Sequence, residues 1–240
     1  MIYNDDCFNI LPNIKDKSID LILTDPPYAI SKESNFDKIN SDTPVDMAKK
    51  FNYSTDFGEW DKTEIDIDRL FKEFFRILKP GGTLIIFYDI WKSNSIKEYA
   101  IKYKFKQPRV CQWVKTNPMP INSKNNYLSN SIEFFFTFVK GGKPTFNSEY
   151  DNGIYNYPFS NGNKRKDYYH PTQKPLSLIN SILLKHSKKG DLVLDTFGGS
   201  GTLAEACILN ERDYIIIEIE KKYYDIITNR VESTKIDSSF

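Results

Sequence analysis

Cysteine, histidine, methionine and tryptophan are scarce in this chain of 240 residues, with three, two, three and three copies. Cys7, Cys111 and Cys207 have no paired spacing, and only His170 and His186 could join them as soft ligands, so no metal site is expected. Each thiol reads either as a small buried apolar group or as a reactive one. Apolar runs such as 83–88 and 134–139 fall short of the ~20 residues a membrane helix needs. Residues 1–8 carry two aspartates and no basic stretch ahead of an apolar segment, a pattern that fits neither a signal nor a transit peptide. A cytoplasmic protein with no membrane partner is expected. There is no internal repeat and no low-complexity tract.

An excess of one charge is also lacking, since the net charge is +1. That average hides a local bias. Between residues 97 and 125 the basic residues Lys97, Lys102, Lys104, Lys106, Arg109, Lys115 and Lys124 face Glu98 alone, and Lys164, Arg165 and Lys166 form a second cluster. Such patches can meet phosphates whatever the total charge, or they can be solvated faces; composition leaves both readings open.

What the chain has is a regular alternation of apolar patterns. Leu70 to Leu78 carries helical spacing and is stopped by Lys79-Pro80-Gly81-Gly82. Strands are predicted over 83–88, 109–114, 132–139, 191–196 and 214–219, in addition to 19–24. Further helices are predicted over 96–103, 175–186, 200–210 and 221–231. Strands alternating with helices imply parallel βαβ units, and a hydrophobic fraction of 40% is ample for one core. One domain with loop insertions is expected over 1–240: a first half to 140, a loop over 141–169, and a second half over 170–240. The loops at 29–62 and 141–169 are long enough to be functional or disordered.

Two of the strands run into informative turns. Leu192 to Phe197 leads into Gly198-Gly199-Ser200-Gly201, where glycines permit a tight turn and close approach of backbone amides to a ligand. Glu218 ends the next strand, 19 residues after Gly199, where a carboxylate can meet a ribose diol. The turn lacks the lysine and hydroxyl of a phosphate-gripping loop, so a nucleotide-type ligand without phosphates fits better. The other strand, 19–24, ends in Asp25-Pro26-Pro27-Tyr28. Consecutive prolines fix their own φ and bar the preceding residue from helix. A stiff carboxylate, an outward carbonyl and an aromatic face suit a flat base with an exocyclic amine.

Asp25-Pro26-Pro27-Tyr28 and Phe197-Gly198-Gly199-Ser200-Gly201 resemble the two signature motifs of the amino-methylating DNA methyltransferases that use S-adenosylmethionine. With the catalytic motif first, their order resembles the β class of adenine-N6 enzymes. Asn4-Asp5-Asp6-Cys7, Leu78 to Gly82, Trp113 to Pro120 and His170-Pro171-Thr172-Gln173-Lys174-Pro175 match further family stretches, and Trp60-Asp61 is similar to another.

The resemblance implies an α/β Rossmann-like fold with a mixed seven-stranded sheet, helices on both faces and a circularly permuted motif order. It implies S-adenosylmethionine as cofactor, bound by Asp6, Cys7, Asp25, His170, Thr172, Phe197, Gly198, Gly199, Ser200, Gly201, Thr202 and Glu218. Asp6 would accept from the cofactor's adenine amine, a helix cap being the other reading of it; His170 is either a ligand of the methionine portion or an ordinary loop residue. The catalytic set implied is Asp25, Pro26, Pro27 and Tyr28, acting on a base flipped out of double-stranded DNA. Lys102, Lys104, Lys106, Lys115, Lys164, Arg165 and Lys166 are the candidates for phosphate contact, with 122–130 or 141–169 reading bases. Relatives of this kind often dimerise. Cytosine-N4 methylation is the nearest alternative, ahead of rRNA methylation and a non-catalytic relative; a motif that begins with Asp, as at Asp25, favours adenine.

Overall fold

A computed structural model of the chain describes residues 1–27, 65–118, 129–159 and 173–237. The chain divides into two units, Met1–Pro26 with Ile67–Phe240, and Pro27–Asp66. The second lies almost wholly outside the described residues; the first holds the sheet and the motif turns.

Eight strands form one sheet among the described residues: β1 (Ile2–Asn4), β2 (Ile19–Thr24), β3 (Leu78–Phe87), β4 (Lys106–Lys115), β5 (Ile132–Val139), β6 (Ile154–Tyr157), β7 (Leu192–Asp195) and β8 (Asp213–Glu218). Their order is β1-β8-β7-β2-β3-β5-β4-β6. All pairings are parallel except those of β5, which runs against both β3 and β4. Seven strands therefore deliver their carboxyl ends to one edge of the sheet, and β5 alone starts there. The expected α/β mixed sheet is present with one strand more than expected. β6 lies within the stretch read from sequence as loop: it pairs in parallel with β4, and the indole of Trp113 donates to the Tyr157 carbonyl at 2.8 Å.

The α-helices among the described residues are α1 (Cys7–Ile10), α2 (Ile67–Ile77), α3 (Ser93–Lys102), α4 (Leu176–His186), α5 (Thr202–Leu209) and α6 (Lys221–Asp237). In α2 the buried residues Ile67, Leu70, Phe71, Phe74 and Ile77 share one stripe. Asp68 in its first turn and Arg76 in its last complement the helix dipole. The helix ends at Ile77, one residue short of expectation, because Leu78 already pairs with Ile19. The register then shifts, so that Leu21 meets Thr83 and Pro80-Gly81-Gly82 fall in the irregular stretch between.

Strands β2, β3 and β7 are buried on both faces, as parallel central strands are. Beside them Phe71, Phe105 and Phe138 meet with ring centroids 5.8–6.1 Å apart. Burial raises the thiols of Cys7 and Cys207 to about 12 and that of Cys111 to about 11. Cys7 and Cys207 thus take the small buried apolar role, and all three remain protonated at neutral pH. Among the described residues no three His, Cys, Asp or Glu side chains are grouped to hold a metal, and no helix is long and apolar enough to cross a membrane.

Candidate active site

The two motif strands come from opposite halves of the chain and lie side by side. β2 pairs with β7, Leu21 opposite Val193 and Ile22 opposite Leu194. At their carboxyl ends the hydroxyl of Thr24 is 2.9 Å from Asp195 Oδ1 and 3.0 Å from Thr196 Oγ1. The residue before Asp25 is therefore bonded to the residues before Phe197, and the acidic turn and the glycine turn leave the sheet from one place. This is a topological switch point, since the chain runs from β2 outward to β3 and from β7 outward to β8.

The glycine turn is shaped by close packing. A Cβ on Gly198 would press into Ile216 Cγ2 and lie 2.8 Å from Ile227 Cδ1. Gly201 takes the left-handed conformation, φ 76°, at the start of α5. Arg230, on α6, fixes the turn from behind, donating to the Ser200 carbonyl at 2.9 Å while its Nε is ion-paired with Glu205.

Glu218 ends β8 and is buried, with its pKa raised chiefly by that burial. Its Oε2 accepts from the Gly199 N–H at 2.8 Å and its Oε1 from the Glu220 N–H at 2.9 Å. A carboxylate offers about four acceptor sites. Each oxygen spends one on backbone, which suits the group to take a diol's two O–H bonds, so the residues present fit a ribose at this edge. Asp195 is also buried, and burial raises its pKa to about 7 despite bonds from Phe197 N–H and Thr24.

Asp6 follows β1, whose Asn4 is in register with Glu218. Its Oδ1 accepts from Phe8 N–H at 2.8 Å and caps the one-turn helix α1. Asp6 is thus a helix cap at the carboxyl edge beside β8. Cys7 is buried behind it.

Asp25 itself is ion-paired. Its Oδ2 accepts from the ammonium of Lys174, a residue 9% exposed that precedes α4. Lys174 also lies 3.2 Å from Glu133 Oε2, and Glu133 Oε1 lies 2.8 Å from Lys115 Nζ. The strand directions explain the meeting: Lys115 ends β4, while Glu133 begins the single reversed strand, so both fall at the edge where β2 ends. Sequence reasoning missed Lys174 and Glu133. A signal was available, because Glu133 is the lone charge in the apolar strand Ile132–Val139.

Other expected contacts are placed elsewhere. Lys115 turns inward to Glu133 and is not presented to a phosphate. Lys102 pairs with Asp68 at the end of α3, and Lys106 opens β4. With Lys104 between them, they sit at the amino end of β4, roughly 30 Å from its carboxyl end at ~3.3 Å per residue. Tyr28, Trp60, Asp61, Lys164, Arg165, Lys166, His170 and Thr172 lie outside the described residues, as does most of 122–130.

A mixed sheet of this order, with a glycine turn and a diol-suited carboxylate at its switch point, defines a Rossmann-like nucleotide-cofactor enzyme. Over this geometry, the model of the DNA methylase family matches residues 19–229, and the chain belongs to that family. It is 30% identical to the type II methyltransferase M2.MboI of Moraxella bovis, over 95% of this chain and 86% of that protein. Among solved structures, an M1.HpyAVI–SAM complex superposes with a TM-score of 0.71 at 27% identity, covering 96% of this chain and 98% of that one. The cytosine-N4-specific PvuII DNA methyltransferase superposes equally, with a TM-score of 0.71 at 17% identity over 98% and 89% of the two chains, which is a likeness of fold alone.

Proposed function

We propose that this DNA methyltransferase transfers a methyl group from S-adenosylmethionine to the N6 amine of adenine in double-stranded DNA. The observation that carries this reading is the bonding of Thr24 to Asp195 and Thr196, which brings the acidic and glycine turns to one crevice. The cofactor, when bound, supplies a methyl on a sulfonium, already activated toward a nucleophile. Glu218 receives its ribose, Asp6 its adenine amine, and the backbone of Phe197 to Gly201 lies against the remainder.

The chain's own residues then have an orienting task. The lone pair of an adenine amine is delocalised into the ring, so the amine is a poor nucleophile. Asp25 and the Pro26 carbonyl accept its two N–H bonds and favour a pyramidal nitrogen with the lone pair directed at the crevice. Orientation of this kind, with reacting atoms about 3–3.5 Å apart, accounts for much of a barrier reduction. Once alkylated, the nitrogen is acidic enough to lose its proton to Asp25 or water, so no separate strong base is required. An amine inside a duplex is out of reach, and the base must leave the stack; Tyr28 is the ring on which it rests, with Pro27 stiffening the turn. Lys164 to Lys166 are the phosphate contacts of this reading. The enzyme works in the cytoplasm on DNA.

Incubating duplex DNA with protein and labelled cofactor, then separating methylated nucleosides by mass, tests the proposal. N6-methyladenine is expected, and Asp25→Ala abolishes it while cofactor binding stays within about threefold of wild type, as expected when an interaction made in the transition state is removed. N4-methylcytosine as the product, or full turnover by the pure variant, refutes the reading.

A further inference from the structure

Four buried or half-buried charges surround the acidic turn, and the established reaction class does not use three of them. Lys174 Nζ touches Asp25 Oδ2, lies 3.2 Å from Glu133 Oε2 and stands 4.9 Å from the centroid of the Phe87 ring. An ammonium has three N–H bonds, and two carboxylates and one ring face satisfy them from three sides. Glu133 is held in turn by Lys115, which lies 5.2 Å from the Trp113 ring centroid. Two carboxylates and two ammoniums sum to zero. Burial alone acts to raise the Glu133 pKa, yet Lys174 and Lys115 pull it below its ordinary value. Burial likewise opposes the Lys174 charge, and Asp25 with Glu133 outweighs it, raising its pKa.

Stability is a poor reason for such a cluster. Buried ion pairs are often replaceable by apolar residues without loss, and β5 is otherwise made of residues that would accept a Leu or Phe at 133. The cluster does one thing apolar packing cannot: it grips a carboxylate. Asp25 is followed by Pro26 and Pro27, which stiffen the backbone but leave its side-chain rotamer undecided. Lys174, anchored by Glu133, supplies that restraint from a separate segment.

We propose that Lys174 is a positioning residue for methyl transfer, its ammonium fixed by Glu133 and Phe87 so that it locks the Asp25 carboxylate in the rotamer that meets the acceptor amine. This rests on the reading that Asp25 accepts from that amine. Glu133 acts only through Lys174, and Lys115 only through Glu133.

The test is single-turnover transfer from tritiated S-adenosylmethionine to duplex DNA with both substrates saturating, beside separate cofactor and DNA affinities and a thermal melt. Lys174→Met is expected to lose about 100-fold in the transfer rate, the scale set by a misplacement of about 1 Å, with cofactor affinity within about threefold. Glu133→Gln is expected to lose about tenfold, and Lys174→Met with Glu133→Gln no more than Lys174→Met alone, because residues acting in series are not additive. Ethylammonium added to Lys174→Ala restores part of the rate, which a merely structural role would not allow. A Lys174→Met rate within threefold of wild type overturns the proposal. So do losses in the two single variants that multiply in the double. If Lys174→Met fails to fold, Glu133→Gln at wild-type rate or absence of rescue in Lys174→Ala overturns it equally. Asp25→Ala run in parallel separates the two ideas: its full activity sinks the reading of Asp25 and this proposal with it, whereas its inactivity beside a fully active Lys174→Met sinks this proposal alone.

Discussion

Asp195 closes β7 as a residue only 8% exposed, its carboxyl bonded by Thr24 Oγ1 and by the Phe197 N–H at 3.0 Å. Burial raises its pKa from 3.8 to about 7, with the charges of Asp25 and Glu218 adding to the effect. Because the folded-state value lies above the unfolded one, the folded chain holds this proton more tightly, and stability falls as pH climbs from about 4 through 7. A rise of about three pH units, at about 1.36 kcal/mol each, sets the cost of the ionised form at about 4 kcal/mol above pH 7, as an upper figure. Asp195→Asn keeps an oxygen for the Thr24 and Phe197 donors and removes the charge. Urea unfolding of the cofactor-free protein, followed by circular dichroism, should find the variant more stable than wild type at pH 8, by up to about 4 kcal/mol, with the gap closing toward pH 4. A variant less stable than wild type at pH 8, or a gap independent of pH, would refute the burial argument.

Two further outcomes concern the packing around the glycine turn. Gly198→Ala forces a methyl against Ile216 and Ile227, and overpacking of this kind should cost about 1–3 kcal/mol and weaken cofactor affinity together with it; a melt within one degree of wild type counts against the close packing. Arg230→Ala leaves the half-buried Glu205 without this partner and frees the Ser200 carbonyl. Its expected cost is about 3–5 kcal/mol, read by denaturant midpoint, and Glu205→Gln on top should recover part of it by removing the stranded charge.

The strands and helices of the central sheet were legible because their periodicity is local: buried parallel strands are unbroken apolar runs, and α2 carries one apolar stripe. β6 was not. Ile154–Tyr157 is a short edge strand whose identity depends on a partner, β4, that is far away in sequence, so its composition reads as loop. The helix end at Leu78 was misjudged by one residue for a similar reason, since pairing with Ile19 overrides helical spacing.

The chemistry on offer was set along the chain: a stiff Asp25-Pro26-Pro27 turn, a glycine turn at Phe197 to Gly201, and Glu218 at the end of the following strand. Those are short-range facts of backbone restraint and residue type. Which distant groups share the crevice was settled by how the strands pack. The parallel pairing of β2 with β7 joined Thr24 to Asp195, and the reversal of β5 brought Glu133 to the edge where β4 ends in Lys115 and Lys174 meets Asp25. Packing also carried Lys102 to Lys106 to the opposite edge. Charge along a chain is one-dimensional, whereas a strand's direction selects which of its ends meets the site, and that direction is set by its neighbours in the sheet.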